Sequence, residues 1–120
     1  MDRLETINDT PVLVFDGEGP ALDERSANDF LGEAWSTDAA WLAGPLERLA
    51  PGFLDLKTRM AGEVIQKFTN YRVGVAFVGD IAPWTEASNS LRDFVRESNR
   101  GRAVWFVQDL AALSAKLAAR

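Results

Sequence analysis

The fold is decided by the stretch FLDLKTRMAGEVIQKFTNYRVGVAFVGD, residues 53–80. Residues 61–71 place apolar side chains every three or four positions, a spacing that predicts a helix with one buried face. A continuous apolar run follows at residues 73–78, which is typical of a strand covered on both faces, so we expect it to be the central strand of a sheet. Gly79-Asp80 then marks a turn. The predicted buried face of the helix consists of Ala61, Val64, Ile65, Phe68 and Tyr71.

The residues before this stretch predict a β-hairpin, a helix and one more strand. An apolar run at residues 12–15 follows turn-forming residues at 8–11, which indicates that the second hairpin strand is buried. Residues 39–43 are expected to form the next strand, stopped by Gly44-Pro45. The helix between them carries one apolar stripe at helical spacing, made of Ala27, Phe30, Leu31, Ala34 and Trp35.

The residues after it predict two further helices and one strand. We expect a loop at residues 81–85, and then a helix capped by Ser88 or Ser90 and ended by Gly101. Residues 103–107 form another apolar run, and a final helix follows Asp109.

The predicted element order is β-β-α-β-α-β-α-β-α over one domain, residues 1–120. Helix-length crossovers join parallel strands, so the class is α/β: a mostly parallel sheet of four to five strands, with an antiparallel hairpin strand at one edge. In such sheets binding sites gather beyond the carboxyl ends of the strands. We therefore expect a site among the loops at residues 16–20, 44–58, 79–88 and 108–109.

Composition limits the chemistry of that site. The chain has 18 acidic and 13 basic residues and a net charge of −5, which repels phosphate backbones and anionic membranes, so we expect no nucleic-acid partner and no membrane. No apolar run approaches the roughly 20 residues that span a bilayer, and a cytoplasmic protein is expected. Without cysteine or histidine there is no thiolate, imidazole or ordinary zinc chemistry. We expect no catalytic residue, cofactor or metal.

Three polar residues flank the organising stretch at the expected site. Thr58 is either a phosphoacceptor at a helix N-terminus, where free N–H groups attract phosphate, or an ordinary capping hydroxyl. Asp55 and Asp80 are either a converging carboxylate pair for a hard metal or acid–base chemistry, or turn and cap residues. Capping is the commoner role for all three.

Four further residues are candidates for contact with a partner or ligand. Arg92, Arg96 and Arg100 recur every four residues, so they form a basic stripe on one face of the predicted helix. That stripe either binds an acidic surface or a phosphate group, or is a solvated face paired with neighbouring carboxylates. Trp84 either anchors an interface or folds back over the core.

Several strings of this sequence resemble a bacterial family, domain of unknown function 4180. They are AGEVIQKFTNYR at 61–72, VGD at 78–80, LRDFVRESNRGR at 91–102 and VWFV at 104–107. The resemblance covers most of the chain from about Asp29 onward, and it implies no activity, because the family has none assigned.

The element order is also similar to that of the STAS domains found in anti-sigma-factor antagonists. In those domains a phosphorylatable serine lies at the start of the helix that here begins near residues 55–58, and Phe53-Leu54-Asp55 is similar to the run that precedes it. Leu56 and Lys57 stand where the STAS pattern has small hydroxyl residues, so Thr58 is the hydroxyl that the resemblance leaves as a phosphoacceptor.

Two functions follow as hypotheses. The preferred one is a non-enzymatic, STAS-like regulatory module that binds a protein partner, with a homodimer as one form of that partnership. The alternative is a small ligand-binding or hydrolytic domain that acts on a phosphorylated or carboxylated small molecule. A deep pocket in which Asp55, Asp80 and an arginine converge would favour the alternative.

Overall fold

The computed structural model describes residues 2–119, in which five strands form one sheet. The strands are β1 (Arg3–Ile7), β2 (Thr10–Val14), β3 (Trp41–Pro45), β4 (Gly74–Val78) and β5 (Val104–Val107). The helices are α1 (Ala27–Ser36), α2 (Met60–Asn70), α3 (Ala82–Ala87), α4 (Asn89–Arg100) and α5 (Leu110–Ala119), and two short 3-10 turns cover Leu46–Arg48 and Leu56–Thr58.

The strands lie side by side in chain order, from β1 to β5. β1 pairs with β2 antiparallel, and each later pair is parallel. The α/β class and the N-terminal hairpin are therefore confirmed, whereas the sheet is mixed rather than mostly parallel. The expectation that residues 73–78 form the central strand was wrong. β4 lies between β3 and β5, and β3 takes the central place because each crossover adds its strand on the same side of the previous one.

Helices cover the two faces of the sheet unequally. Right-handed crossovers that all step in one direction place their helices on one face. Side chains of α1 and α2 accordingly pack there against Leu42, Val75 and Phe77, joined at the margin by Phe94 and Val95 of α4. The opposite face packs against α5 through Leu113 and Leu117.

A pair of tryptophans dominates the α5 face. Trp41 and Trp105 stack with ring centroids 4.4 Å apart, although β4 separates their strands. Gly74 makes this possible, because a Cβ there would lie 2.3 Å from Cε2 of Trp41. The indole of Trp41 thus crosses β4 where that strand has no side chain.

Two aromatic residues assigned to buried helical faces are exposed instead. Trp35 is 52% exposed and Tyr71 is 54% exposed, and their rings pack edge to face with centroids 5.0 Å apart. They lie at the last turn of α1 and just after α2, and they pack against each other rather than against the core.

The predicted signals mark both ends of α4 and the start of α5. Ser88 Oγ accepts a hydrogen bond from Leu91 N at 3.1 Å and caps α4, Gly101 ends it, and Asp109 Oδ1 accepts from Ala112 N at 2.8 Å at the start of α5.

The predicted signals failed at two other places: α2 begins after Arg59 rather than at Asp55 or Thr58, and Gly44 and Pro45, which were expected to stop the third strand, are the last two residues of β3. The loop expected at residues 81–85 is also wrong, because α3 occupies most of it. No helix within residues 2–119 has the length and apolar character needed to cross a membrane.

Candidate functional site

A groove of about 460 Å³ lies beyond the carboxyl ends of β3 and β4. One wall is the connection from β3 to α2, and the other is α3 with the first turn of α4. This position agrees with the expected site, because the loops at residues 44–58 and 79–88 form both walls. The lining residues are Leu46, Leu49, Ala50, Pro51, Gly52, Phe53, Leu54, Asp55, Leu56, Pro83, Trp84, Ala87, Ser88 and Leu91.

The first wall is held by one buried aromatic side chain and two turns. Phe53 is 1% exposed and packs edge to face on Phe77 of β4, with centroids 5.5 Å apart. Gly52 has a φ of +86°, which a residue with a side chain rarely adopts, and it turns the chain into this anchor. The neighbouring leucines of the connection are only partly buried, so their side chains remain available at the groove surface.

Arg48, next to the lining Leu49, is a buried cation that the sequence did not reveal. Only 4% of it is exposed. Its guanidinium donates to the carbonyl oxygens of Pro20, Asp16 and Glu18 at 3.0–3.1 Å, and lies 3.4 Å from Asp2 Oδ1. These bonds tie the loop after β2 to the groove wall. No local pattern distinguishes such an arginine from a surface one, because its acceptors are carbonyls about 30 positions away in the chain.

The second wall is built from two successive helix starts. Asp80 Oδ1 accepts a hydrogen bond from Ala82 N at 3.0 Å at the beginning of α3. Pro83 suits the first turn of that helix, because its missing N–H would have no partner there. Trp84 is the next residue of α3, and 42% of it is exposed to solvent. Its indole therefore forms part of the groove and remains open to solvent.

Thr58 lies at the end of the first wall, outside the groove lining. Its Oγ1 is 2.8 Å from the carbonyl oxygens of both Gly52 and Asp55, and Met60 N donates to it at 3.3 Å. Asp55 in turn accepts from Lys57 N at 3.1 Å. Both side chains thus make the capping and loop contacts that were the commoner expectation, and both residues are exposed.

Only one of the two carboxylates that were considered as a pair lines the groove. Asp55 lines the groove, whereas Asp80 does not, and its carboxylate is used at the start of α3. Among the described residues no group of three or more acidic side chains is placed to hold a metal ion. The groove surface itself offers one carboxylate, Asp55, and one hydroxyl, that of the capping residue Ser88.

The arginine stripe lies apart from the groove on the exposed side of α4. Arg96 is 3.7 Å from Asp93 and Arg100 is 3.3 Å from Glu97, measured between guanidinium nitrogen and carboxylate oxygen. Arg92 donates to the side chain of Asn89. Exposed pairs of this kind contribute about 0.5 kcal/mol or less each, so the stripe has the geometry of a solvated face.

Two carboxylates have displaced pKa values, and both are outside the groove. Burial and the negative charge of Asp2 raise the pKa of Glu33. The backbone N–H of Ser26 lowers the pKa of Asp23 by stabilising its ionised form. Neither displacement points to acid–base chemistry at the groove.

Comparison with known proteins identifies the family. The model of the family described as "Domain of unknown function (DUF4180)" matches residues 7–117, which is more than nine tenths of the chain. No curated protein and no solved structure matches it. The resemblance inferred from residues 61–107 is thus confirmed, and the chain belongs to the DUF4180 family.

Proposed function

We propose that this chain is a non-enzymatic interaction module that binds an apolar segment of a partner protein in the groove beside Trp84. The observation that carries the proposal is the composition of the groove surface, which is formed by leucines, prolines and one exposed tryptophan around a single carboxylate. Tryptophan is enriched at the energetic centres of protein interfaces, where it fills or covers a partner's apolar surface.

A small-molecule site is the weaker interpretation of the same groove. Its volume of about 460 Å³ is in the range of ligand pockets, which span roughly 300–1,000 Å³. Such pockets, however, combine apolar walls with several converging polar groups. No arginine of residues 2–119 lines this groove to bind a phosphate or carboxylate, and the Asp80 carboxylate accepts a hydrogen bond at the start of α3.

The expected occupant is a segment of a different protein that carries apolar side chains and one basic residue. Among the described residues that line the groove, Asp55 is the only charged one, so it selects a positive charge at its end of the groove. A second copy of this chain is a poorer fit, since each copy has a net charge of −5 and the two would repel at a distance.

The order of strands and helices supports a STAS-like architecture as part of this proposal. The connection that forms the first wall leads into α2, the helix whose start carries the regulatory serine of STAS domains. Thr58, which is displaced from that serine position, is the hydroxyl nearest to it here, and its Oγ1 donates to the carbonyl oxygen of Gly52 in the groove wall. Phosphorylation of Thr58 stays a prediction. Intact-mass analysis of protein from the native host should show one phosphate that Thr58→Ala removes, and its absence in every growth state would refute it.

Affinity purification from the native host with two tryptophan variants tests the binding proposal. Trp84→Ala should abolish co-purification of the partner, whereas Trp35→Ala should leave it unchanged, because Trp35 is similarly exposed but distant in the fold. Leu56→Glu, which places a second carboxylate in the groove, should also abolish co-purification of the partner. Recovery of the same partner with both Trp84→Ala and Leu56→Glu would refute the groove as the binding surface.

The arginine stripe is tested in the same experiment. Arg96→Glu reverses one charge on the exposed side of α4 without touching the groove. A partner held by the groove alone should still co-purify with this variant. Loss of the partner with Arg96→Glu and retention with Trp84→Ala would assign binding to the stripe instead and contradict the proposal.

A further inference from the structure

A group of basic side chains lies at the end of the sheet opposite the groove, where β4 and β5 begin. Arg72 precedes β4 by two residues and Arg102 precedes β5 by two residues. These strands are parallel neighbours, with Val75 paired to Val104. Arg72 and Arg102 therefore lie next to each other, just before the two strands begin. Both line one hollow of about 390 Å³, together with Trp41 and Thr69.

A second hollow adjoins the first at Arg102. It measures about 240 Å³ and is lined by Arg100, Arg102, Lys116 and Trp105. The Lys116 ammonium lies 5.1 Å from the centroid of the Trp105 ring and donates to the carbonyl oxygen of Asn99 at 3.1 Å. It is therefore held in place beside the hollow. We call Arg72, Arg100, Arg102 and Lys116 the amino-edge basic cluster.

Most of the positive charge in this cluster has no carboxylate partner among residues 2–119. Arg100 has an ion pair with Glu97 at 3.3 Å. Within residues 2–119, no carboxylate lies within ion-pair distance of Arg72, Arg102 or Lys116. Three unpaired cations that share two adjoining hollows repel one another, and in a chain of net charge −5 an external anion would relieve that repulsion.

The backbone at Arg72 gives an independent reason to assign a role to its side chain. Helix α2 ends in a Schellman turn, in which Val73 N donates to Phe68 O and Arg72 N to Thr69 O. Arg72 has a φ of +59° in this turn, where glycine is usual and other residues cost roughly 1 kcal/mol. Helix α1 ends in the same turn with Asp38, a residue type that tolerates this conformation better. Folding alone would favour glycine over arginine at position 72.

We propose that the amino-edge basic cluster binds the phosphoryl groups of a phosphorylated small molecule, with Arg72 and Arg102 as the principal ligands. A guanidinium group can donate two parallel hydrogen bonds to the oxygens of one phosphate. Neighbouring strands are about 4.8 Å apart, so two arginines that precede adjacent strands can contact the same phosphoryl group. The second hollow offers Arg100 and Lys116 to a second phosphoryl group. The hollows are small, at about 390 and 240 Å³, which suits compact phosphoryl groups better than the spaced carboxylates of an acidic peptide.

Pyrophosphate, titrated at constant ionic strength and followed by the indole N–H signals in NMR spectra, tests the site. Trp41 and Trp105 line the hollows, whereas Trp84 lies at the opposite end of the sheet. We expect saturable shifts of the Trp41 and Trp105 signals and none of the Trp84 signal. Arg72→Gly and Arg102→Gln should each weaken binding by about tenfold or more, which corresponds to about 1.4 kcal/mol.

The variants separate site binding from loss of folding and from general charge effects. Arg72→Gly places the preferred residue at φ +59°, so this variant should fold at least as well as the original chain. Arg96→Gln removes the same charge from the middle of α4 and should leave binding unchanged. Shifts that do not saturate, or equal weakening by Arg96→Gln and Arg72→Gly, would overturn the proposal. Tighter binding of a hexaglutamate peptide than of pyrophosphate would also overturn it, in favour of an acidic protein segment.

Discussion

Replacing Gly74 by alanine should destabilise the protein, because the added methyl group collides with the tryptophan pair on the α5 face. The new Cβ would lie 2.3 Å from Cε2 and 2.4 Å from Cδ2 of Trp41, whereas non-bonded carbon atoms prefer about 3.5–4.0 Å. The indole ring must therefore move by more than 1 Å, and it cannot do so while it stacks on Trp105 at 4.4 Å.

The expected cost follows from two effects. Overpacking a filled core costs about 1–3 kcal/mol, and the lost aromatic pair costs about 0.5–1.5 kcal/mol more. We therefore expect Gly74→Ala to lower the free energy of unfolding by about 2–4 kcal/mol. At about 4 °C per kcal/mol for a chain of this size, the melting temperature should fall by about 8–16 °C.

Gly62→Ala is the matched control for this substitution. Gly62 lies inside α2, and a Cβ there would meet nothing within 4 Å. Alanine is favoured over glycine in a helix by about 1 kcal/mol, so the same chemical change should stabilise the protein here. Urea denaturation of both variants measures the difference, and near-ultraviolet circular dichroism reports on the indole pair.

A double-mutant cycle identifies the cause of the loss. Trp41→Leu removes the ring that the new methyl group would strike, so Gly74→Ala should cost about 1–3 kcal/mol less in that background than in the original chain. Equal stability of the Gly74→Ala and Gly62→Ala variants would refute the packing argument, as would additive effects in the cycle.

Three further predictions concern polar residues. Arg48→Met should lower the free energy of unfolding, measured by urea denaturation, by about 3 kcal/mol, because it leaves three carbonyl oxygens without a donor. It should also speed hydrogen exchange in residues 16–20, and unchanged exchange there would contradict this role. The pKa of Glu33 is raised in the folded state. The stability that this group contributes is therefore fully present below its unfolded pKa of 4.5 and is lost as the pH rises through its folded pKa. Glu33→Gln should therefore gain stability relative to the original chain as the pH rises above about 4.5, and a parallel pH dependence would disprove the effect. Thr58→Ala should cost about 1 kcal/mol and Thr58→Ser much less, since serine keeps the bond to Gly52 O, whereas equal losses would assign the effect to the methyl group.

The regular elements were predictable because their signals are local. β4 corresponds to the apolar run at residues 73–78, and most of its side chains are buried. α2 corresponds to the periodic apolar positions of residues 61–68, of which Ala61, Val64 and Phe68 are buried. The caps at Ser88 and Asp109 act within three residues, which is why sequence alone identified them.

Features that depend on distant partners were missed. Tyr71 continues the helical period of α2 but packs against Trp35 at the surface, so the same pattern that predicted burial of Phe68 failed three residues later. Gly74 has its role only because Trp41 crosses it from the next strand. The amino-edge basic cluster joins residues from two connections, the end of α4 and α5, which no local pattern can bring together.

The candidate site was predicted in part. The rule that sites lie beyond the carboxyl ends of parallel strands selected both walls of the groove, and Trp84 and Asp55 line it. The partly buried leucines between residues 46 and 56 were not selected, because their spacing follows neither a helix nor a strand. The sequence did not show that Asp80 accepts a hydrogen bond at the start of α3, because that helix was expected to be a loop.

Site-specific photo-crosslinking in the native host is the most direct test of partner binding in the groove. A photoreactive amino acid at Ala87, an exposed lining residue, should yield one major adduct with another protein. That adduct should disappear when Trp84→Ala is added, and the same probe at the exposed Ala118 of α5 should not produce it. An adduct that persists without the Trp84 indole, that forms equally from position 118, or that never forms from position 87 would contradict the account.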